Sequence, residues 1–313
     1  MPITNLSAHA GPPQVLVLLA THNGERWIGE QLRSILAQEG VTVQVWVNDD
    51  ASTDATRTLV QSVAAADARV ILLPAAPAYG SSAANFFALL EQLQFLPTPL
   101  AAVALADQDD RWYPDKLQRA LQAMALHQVA AVSGSVMAVW PDGRQQLLQK
   151  SQPLRAADHL FESAGPGCTY VLRGDLAQSL SQWVRTHRDA LRPIAFHDWF
   201  IYAWARTQGY GWWIDARPCM DYRQHDQNVL GARTGLRGWL RRGQMLWGPW
   251  YRDQVLAIAQ ACGADQHLLV ERLRRDGWKD RWALVWQVGS MRRRPLDRLA
   301  LAAALLLRKR ARP

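Results

Sequence analysis

Residues 101–117 read AAVALADQDDRWYPDKL. An apolar run of strand length, 101–106, stops at three acids, Asp107, Asp109 and Asp110, and Trp112, Tyr113 and Pro114 then lead into a predicted helix. In an open α/β sheet, ligands bind beyond the carboxyl ends of the strands, which is where these acids fall. Carboxylates this dense repel one another, so a fold that gathers them calls for a cation. Hard oxygen donors suit Mg²⁺ or Mn²⁺ carrying the phosphates of a nucleotide. The same residues also allow a solvated acidic turn in which Asp110 or Asp115 caps the following helix.

Upstream, the strand-to-acid pattern repeats. Residues 14–20 (QVLVLLA) read as a strand buried on both faces and THNGER (21–26) as a loop. Residues 27–38 then place Trp27, Ile28, Leu32, Ile35 and Leu36 at helical spacing, with Gly40 closing the helix. A second strand, 41–47, ends in Asn48, Asp49 and Asp50, and Ser52, Thr53 and Asp54 supply a cap for a helix through Val63. A short strand at 70–73 and a helix at 84–96 complete a β-α-β-α-β-α succession. This pattern predicts an α/β fold with a mostly parallel central sheet flanked by helices and nucleotide chemistry at its carboxyl edge. Neither the dinucleotide fingerprint nor the P-loop follows the first strand, so the nucleotide is held another way.

The 313 residues, 49% hydrophobic, are enough for one large α/β domain with an appendage or for two modest domains. Cys168, Cys219 and Cys262 are few and far apart, which suggests neither a disulfide framework nor a zinc site and favours a reducing compartment. Residues 1–14 lack the charged and apolar segments of a secretory signal, and no stretch reaches the roughly 18 apolar residues of a spanning helix. A cytoplasmic location is expected. The net charge of +8 is split unevenly. Residues 1–232 carry 17 Lys+Arg against 21 Asp+Glu, and residues 233–313 carry 18 against 6, so a mildly acidic body is followed by a strongly basic region. The expected division is therefore 1–232 and 233–313, with a polyanionic partner for the second part, either an anionic membrane surface or nucleic acid.

ATHNGERWIGEQLRSILAQ, VNDDASTDAT and ALADQDDRWYPDKL, in this order and spacing, resemble the N-terminal half of the family 2 inverting glycosyltransferases, which have the GT-A nucleotide-diphospho-sugar transferase fold. The likeness runs through residues 14–232 and is strongest to bacterial rhamnosyltransferases of surface polysaccharide synthesis. It implies that Thr21 and Glu25 lie against the nucleotide, that Asp50 reads the base while Asp49 orders its loop, and that Asp107 and Asp109 form the D-x-D motif. Asp109 is then the leading metal ligand, Asp107 a ribose or outer metal contact, and Asp110 an extra acid. For Asp49, Asp50 and Asp54 the residues alone also allow simple capping of a helix and a turn.

Further along, 129–140 with Pro141-Asp142-Gly143 predicts a strand entering a hairpin, and 144–160 a loop-rich segment. The GPGCTYVL segment, 165–172, resembles the family's frame for the acceptor site; its Cys168 has no base placed to activate it and reads as a small buried thiol. FHDWFIY, 196–202, puts Asp198 where inverting transferases carry the base that deprotonates the acceptor hydroxyl, although an ordinary N-cap fits the same position. His197 is either a packing residue or an acceptor contact. Arg223, Gln224, His225 and Asn228 resemble the donor-side loop over the diphosphate, with His225 a candidate third metal contact. The Q-x-x-R-W motif of processive synthases is absent, which points to single-sugar transfer.

Beyond Arg233, cations interleave with amphipathic aromatics. Trp278, Trp282 and Trp286 repeat at i, i+4, i+8 beside Lys279 and Arg281, Arg292 to Arg294 precede an apolar stretch, and Arg308, Lys309, Arg310 and Arg312 end the sequence. Two readings stand open: an interfacial helix set on anionic lipid, or Trp core packing with a solvated basic tail. The expectation as a whole is a metal-dependent inverting transferase, with dTDP-rhamnose as donor or a UDP-hexose in its place. Its acceptor is a lipid-linked sugar or polysaccharide, and its location is the inner membrane face. The rival class, a nucleic-acid-binding protein, leaves the acids at the strand ends unexplained.

Overall fold

A computed structural model describes residues 11–95, 100–225 and 248–307. Four strands, β1 (Gln14–Thr21), β2 (Thr42–Asp49), β3 (Val70–Leu72) and β4 (Ala102–Ala106), form the parallel half of one sheet in the order β3-β2-β1-β4. Helices α1 (Ile28–Leu36), α2 (Thr56–Ala66) and α3 (Ser82–Gln92) connect them. Beyond β4 the sheet becomes mixed. β8 (Val171–Arg173) pairs antiparallel with β4 and with β6 (Ala131–Val139), and β9 (Trp212–Arg223) runs parallel to β6. The Pro-Asp-Gly turn joins β6 to β7 (Gln145–Leu148) as a hairpin. Parallel pairing thus runs unbroken through the first four strands and returns between β6 and β9, while β8 and β7 pair antiparallel with their neighbours.

The strand residues alternate between two cores, as expected for a sheet covered on both faces. Leu16, Leu18, Val103 and Leu105 face α3, α6 (Gly174–Thr186) and α8 (His197–Thr207). Val15, Val17, Val45, Ala102 and Ala104 face α1, α2 and α4 (Lys116–His127).

A two-residue strand too short to show any periodicity, β5 (Arg111–Trp112), matters most for the site. It pairs antiparallel with β9, Arg111 opposite Asp221. Asp221 accepts from Arg111 Nε at 2.9 Å and from Tyr113 Oη at 2.8 Å. This pairing folds the acidic turn back beside the end of β9, which carries Arg223, Gln224 and His225.

The basic region packs as part of the same body. Helices α9 (Pro249–Ala261), α10 (Leu268–Arg275), α11 (Trp278–Trp286), α12 (Val288–Met291) and α13 (Pro295–Leu307) contribute Val255, Ile258, Val270, Leu284, Met291 and Leu301 to the core that holds α8. Two short helices, α5 (Asp158–Phe161) and α7 (Arg188–Leu191), lie in the same layer. The expected boundary at 232/233 and the calls on Asn228, Arg237 to Trp247 and Arg308 to Arg312 fall outside the described residues. Of the Arg triplet, Arg292 and Arg293 turn inward instead of meeting a headgroup zone. Arg293 is buried, 3.1 Å from Asp158, donates its backbone N–H to Glu162 at 2.7 Å, and reaches the Ser163 carbonyl. Arg292 lies 3.6 Å from Glu162, and Arg294 donates to the Gln149 carbonyl. Buried Asp158 and Glu162 account for the correction: a desolvated carboxylate recruits whatever guanidinium the chain can bring.

Arg293→Met should therefore cost about 3 kcal/mol, because it strips a partner from a buried charge. Urea unfolding of the variant and the parent chain measures this, and equal midpoints would dissolve the clamp.

Candidate active site

Four carboxylates meet at the carboxyl end of β4. Asp110 is 1% exposed, and among the described residues neither of its oxygens has a hydrogen-bond partner. Oxygens of Asp107 and Asp110 and the Cys168 thiol all lie within 4.8 Å of one another. Burial, then the Asp109 charge, pushes the Asp107 carboxyl up to about 7, and burial with Asp109 and Asp107 raises Asp110 as well. Lys116 is buried directly beneath. Its ammonium donates to the Cys168 carbonyl at 2.7 Å and sits 3.2 Å from the centre of the Trp112 ring. Burial lowers it to about 8 against the pull of the neighbouring acids. One such cation cannot balance the cluster. A set of carboxylate oxygens, two of them buried without partners, fits a hard divalent cation.

Gln108, the residue between the two D-x-D acids, locks the first loop to this turn. Its Oε1 accepts from Thr21 Oγ1 at 2.6 Å and from His22 N at 2.8 Å, and its Nε2 donates to the His22 carbonyl at 2.9 Å. A Cβ at Gly24 would come within 2.3 Å of Gln108 Oε1, so glycine is required there. His22 in turn sits 2.7 Å from the Asp50 carbonyl. The carboxylate of Asp50 accepts from the backbone N–H groups of Tyr79 and, at 3.1 Å, Gly80. Asp49 holds Ser52 within its own loop.

The sequence reading sets Glu25 and Gln224 on the nucleotide. Glu25 accepts from Ala55 N at 2.9 Å at the start of α2, and Gln224 is buried, its amide donating to the Tyr222 and Arg223 carbonyls. Arg223 spans from Glu30, at 2.5 Å, to the Trp27 ring, at 4.6 Å. Its neighbour His225 stacks on that same ring and places Nε2 2.6 Å from Asp109.

Asp198 stands in the first turn of α8 and accepts from Trp199 N at 2.7 Å. A Cβ on Gly167 would lie 3.2 Å from its Cβ and 2.4 Å from His197 Nε2, so the 166–169 turn is pressed against this helix start and carries Cys168 to the acids. The turn thus links Asp198, against its Gly167, to Asp107 and Asp110, against its Cys168. Burial raises Asp198 to about 6, partly offset by the Trp199 N–H, Ser163 and Lys150. His197 stacks on Phe86 at 4.0 Å and is held neutral by burial, near 3, which makes it a packing residue. Burial, followed by Asp110 and Asp107, keeps the Cys168 thiol protonated, unsuited to nucleophilic attack.

Gln108 and Lys116 were missed by the sequence reading. Lys116 left a signal: it shares the buried stripe of α4 with Leu117, Ala120 and Met124, where a lone cation needs a reason.

Asp198 has a folded pKa above its unfolded 3.8, so folding disfavours its charged form. The stability it allows is full below about pH 4 and is lost as pH rises through about 6. Asp198→Asn should thus melt a few degrees above the parent at pH 7.5, with the gap closing near pH 4; a gap that does not change with pH would refute the desolvated carboxylate.

A family model described as Glycosyl transferase family 2 matches residues 16–170. The chain is 33% identical over 290 residues, 92% of its length and 99% of the relative's, to a protein named dTDP-rhamnosyl transferase RfbG from Shigella flexneri. Residues 1–349 of S. aureus TarS superpose with a TM-score of 0.53 at 14% identity, covering 88% of this chain and 92% of that one. The mannosyltransferase PcManGT from Pyrobaculum calidifontis, solved with GDP-Man and Mn²⁺, gives 0.50 at 16% identity over 95% and 86%. At these identities the two structures bear on fold alone, a GT-A-like mixed sheet flanked by helices. The near-full-length relative and the motifs on the sheet edge lead to one conclusion: the chain belongs to glycosyl transferase family 2 and is a glycosyltransferase.

Proposed function

We propose that this glycosyltransferase moves a single L-rhamnose from dTDP-rhamnose, with inversion, to a hydroxyl of a lipid-linked or polysaccharide acceptor in bacterial cell-surface polysaccharide synthesis. We place it at the inner face of the cytoplasmic membrane, bound peripherally. The observation that carries the chemistry is the meeting of Asp198, a carboxylate raised to about 6, with the acids at the end of β4. The rhamnosyl donor follows from the name of the relative that matches along almost its whole length.

In this reading the acceptor hydroxyl gives its proton to Asp198 as its oxygen bonds to the anomeric carbon. The bond from that carbon to the diphosphate oxygen breaks on the opposite face, and its electron pair leaves with the nucleotide. A base near pKa 6 is ionised at neutral pH yet basic enough to take a proton in the transition state. Asp107 and Asp109 would hold Mg²⁺ or Mn²⁺, with Asp110 behind and His225 beside them, and the ion would offset the diphosphate's charge. Thr21, fixed by Gln108, and Asp50, fixed at the 79–80 turn, would line the nucleoside end. Arg223, already braced on Glu30 and Trp27, would close over the phosphates. Glu25, which also holds the start of α2, would lie against the nucleotide, and Gln224 would belong to the segment over the diphosphate.

Asp109→Asn and Asp198→Asn should each lower transfer by roughly 10²-fold or more. The first should also shrink the Mn²⁺-dependent thermal shift given by dTDP, and the second should leave that shift intact. The acid limb of kcat/KM should fall as pH drops below about 6. Normal turnover by Asp198→Asn would remove the base, and a shift with UDP but none with dTDP would remove the rhamnosyl donor.

A further inference from the structure

Three tryptophans leave the body of the protein on one face of α11. Trp278, Trp282 and Trp286 are 59%, 41% and 84% exposed, while Arg281 and Leu284 on the opposite face are buried. Trp278 and Trp282 meet edge-to-face at 5.7 Å. The neighbouring helix α13, which packs on α11, turns Leu301, Ala304 and Leu305 inward and leaves Leu296, Leu299 and Leu307 exposed. Isolated exposed apolar residues are ordinary, but six large ones on two adjacent helices are not.

We propose that this Trp and Leu face of α11 and α13 is a docking surface for the headgroup zone of an anionic lipid bilayer, an assignment that rests on the membrane reading above and names the surface that serves it. Tryptophan suits that zone because its ring is apolar and its N–H still reaches water. Among the described residues no helix is long and apolar enough to cross a membrane, so the two helices lie in the interface plane. Charge complementarity selects the partner. Arg274 and Lys279 are exposed beside the first tryptophan. No acid follows Asp297 in the sequence, whereas Arg308, Lys309, Arg310 and Arg312 do. The acids nearest α11 are already engaged, Asp276 by Arg281 at 3.0 Å and Asp280 by Arg275 at 2.9 Å. Among the described residues, exposed Arg274 and Lys279 thus stand beside an apolar face whose nearest acids are already paired, the balance that anionic lipid attracts.

The face is also tied to the catalytic rim. The chain beyond Trp286 grips the acceptor-side loop: Ser290 O accepts from Ala157 N at 3.1 Å, and Arg293 donates to the carbonyl of Ser163, whose side chain acts on Asp198. A bilayer seated on α11 and α13 would therefore set the height of Asp198 above a membrane-anchored acceptor.

Flotation of the full chain with phosphatidylglycerol–phosphatidylcholine vesicles tests this. The parent should float and W278Q/W282Q/W286Q should lose roughly tenfold or more of its partitioning. The thermal shift with dTDP and Mn²⁺, measured alongside, should be unchanged and shows that the variant is folded. Trp286→Gln alone, at the most exposed position, should weaken flotation measurably if the triple variant does not fold. Equal flotation of parent and variants overturns this surface while leaving membrane association standing. A parent that ignores the vesicles overturns both. A parent that is dimeric by light scattering, with a monomeric triple variant, assigns the face to a second copy and overturns the lipid proposal.

Discussion

Repulsion among carboxylates at the end of β4 is the constraint to which the rest of the rim answers. Two charged oxygens within 4.8 Å repel by roughly 3 kcal/mol at an effective dielectric near 20. Asp107, Asp109 and Asp110 supply three such charges in four residues, and Asp198 adds a fourth from another helix. The protein answers in two ways. It buries Lys116 below the cluster, with its ammonium fixed between the Cys168 carbonyl and the Trp112 ring. It also sets His225 against Asp109 from the far strand. Lys116 and His225 engage the turn without saturating it, and the remaining carboxylate oxygens are what a divalent ion with a diphosphate would meet.

That second contact exists because of a strand two residues long. Pairing Arg111 with Asp221 runs the acidic turn antiparallel to the end of β9, so residues just before Arg111 face residues just after Asp221. Asp109 and His225 meet through this register. Without it, the D-x-D acids and the donor-side segment would belong to separate parts of the sheet. The Asp221 carboxylate, shared by Arg111 and Tyr113, is thus a positioning group for a site it does not enter.

The parallel half was legible because each of its strands is buried on both faces and reads as an unbroken apolar run, as 14–20 and 101–106 do. Asp107, Asp109 and Asp198 were legible for a related reason: an acid directly after a strand or at a helix start occupies a position that the fold presents to ligand. Strand β5 was invisible, since two residues carry no periodicity, and its partners are 110 positions apart. Glu25 and Gln224 were read from position alone, and the sequence did not show the backbone groups each also binds, Ala55 N and the Tyr222 and Arg223 carbonyls. For the Trp residues of α11, helical spacing said that they share a face but not which way the face points. That depends on Leu284 and Arg281 finding the core opposite them.

Charge counting along the sequence misleads in the same manner. The excess of cations in 233–313 looks like a surface field, yet Arg292 and Arg293 spend theirs on Asp158 and Glu162, acids of the preceding half. Part of the asymmetry between the halves is therefore internal pairing across them, and it cancels on folding. What survives outside among the described residues is smaller and more local, with Arg274 and Lys279 exposed beside an apolar face. A diffuse positive field would favour any polyanion, including a nucleic acid. A few cations rimming exposed tryptophan and leucine favour one whose surface is charged and whose interior is apolar, which describes a lipid bilayer and not a duplex.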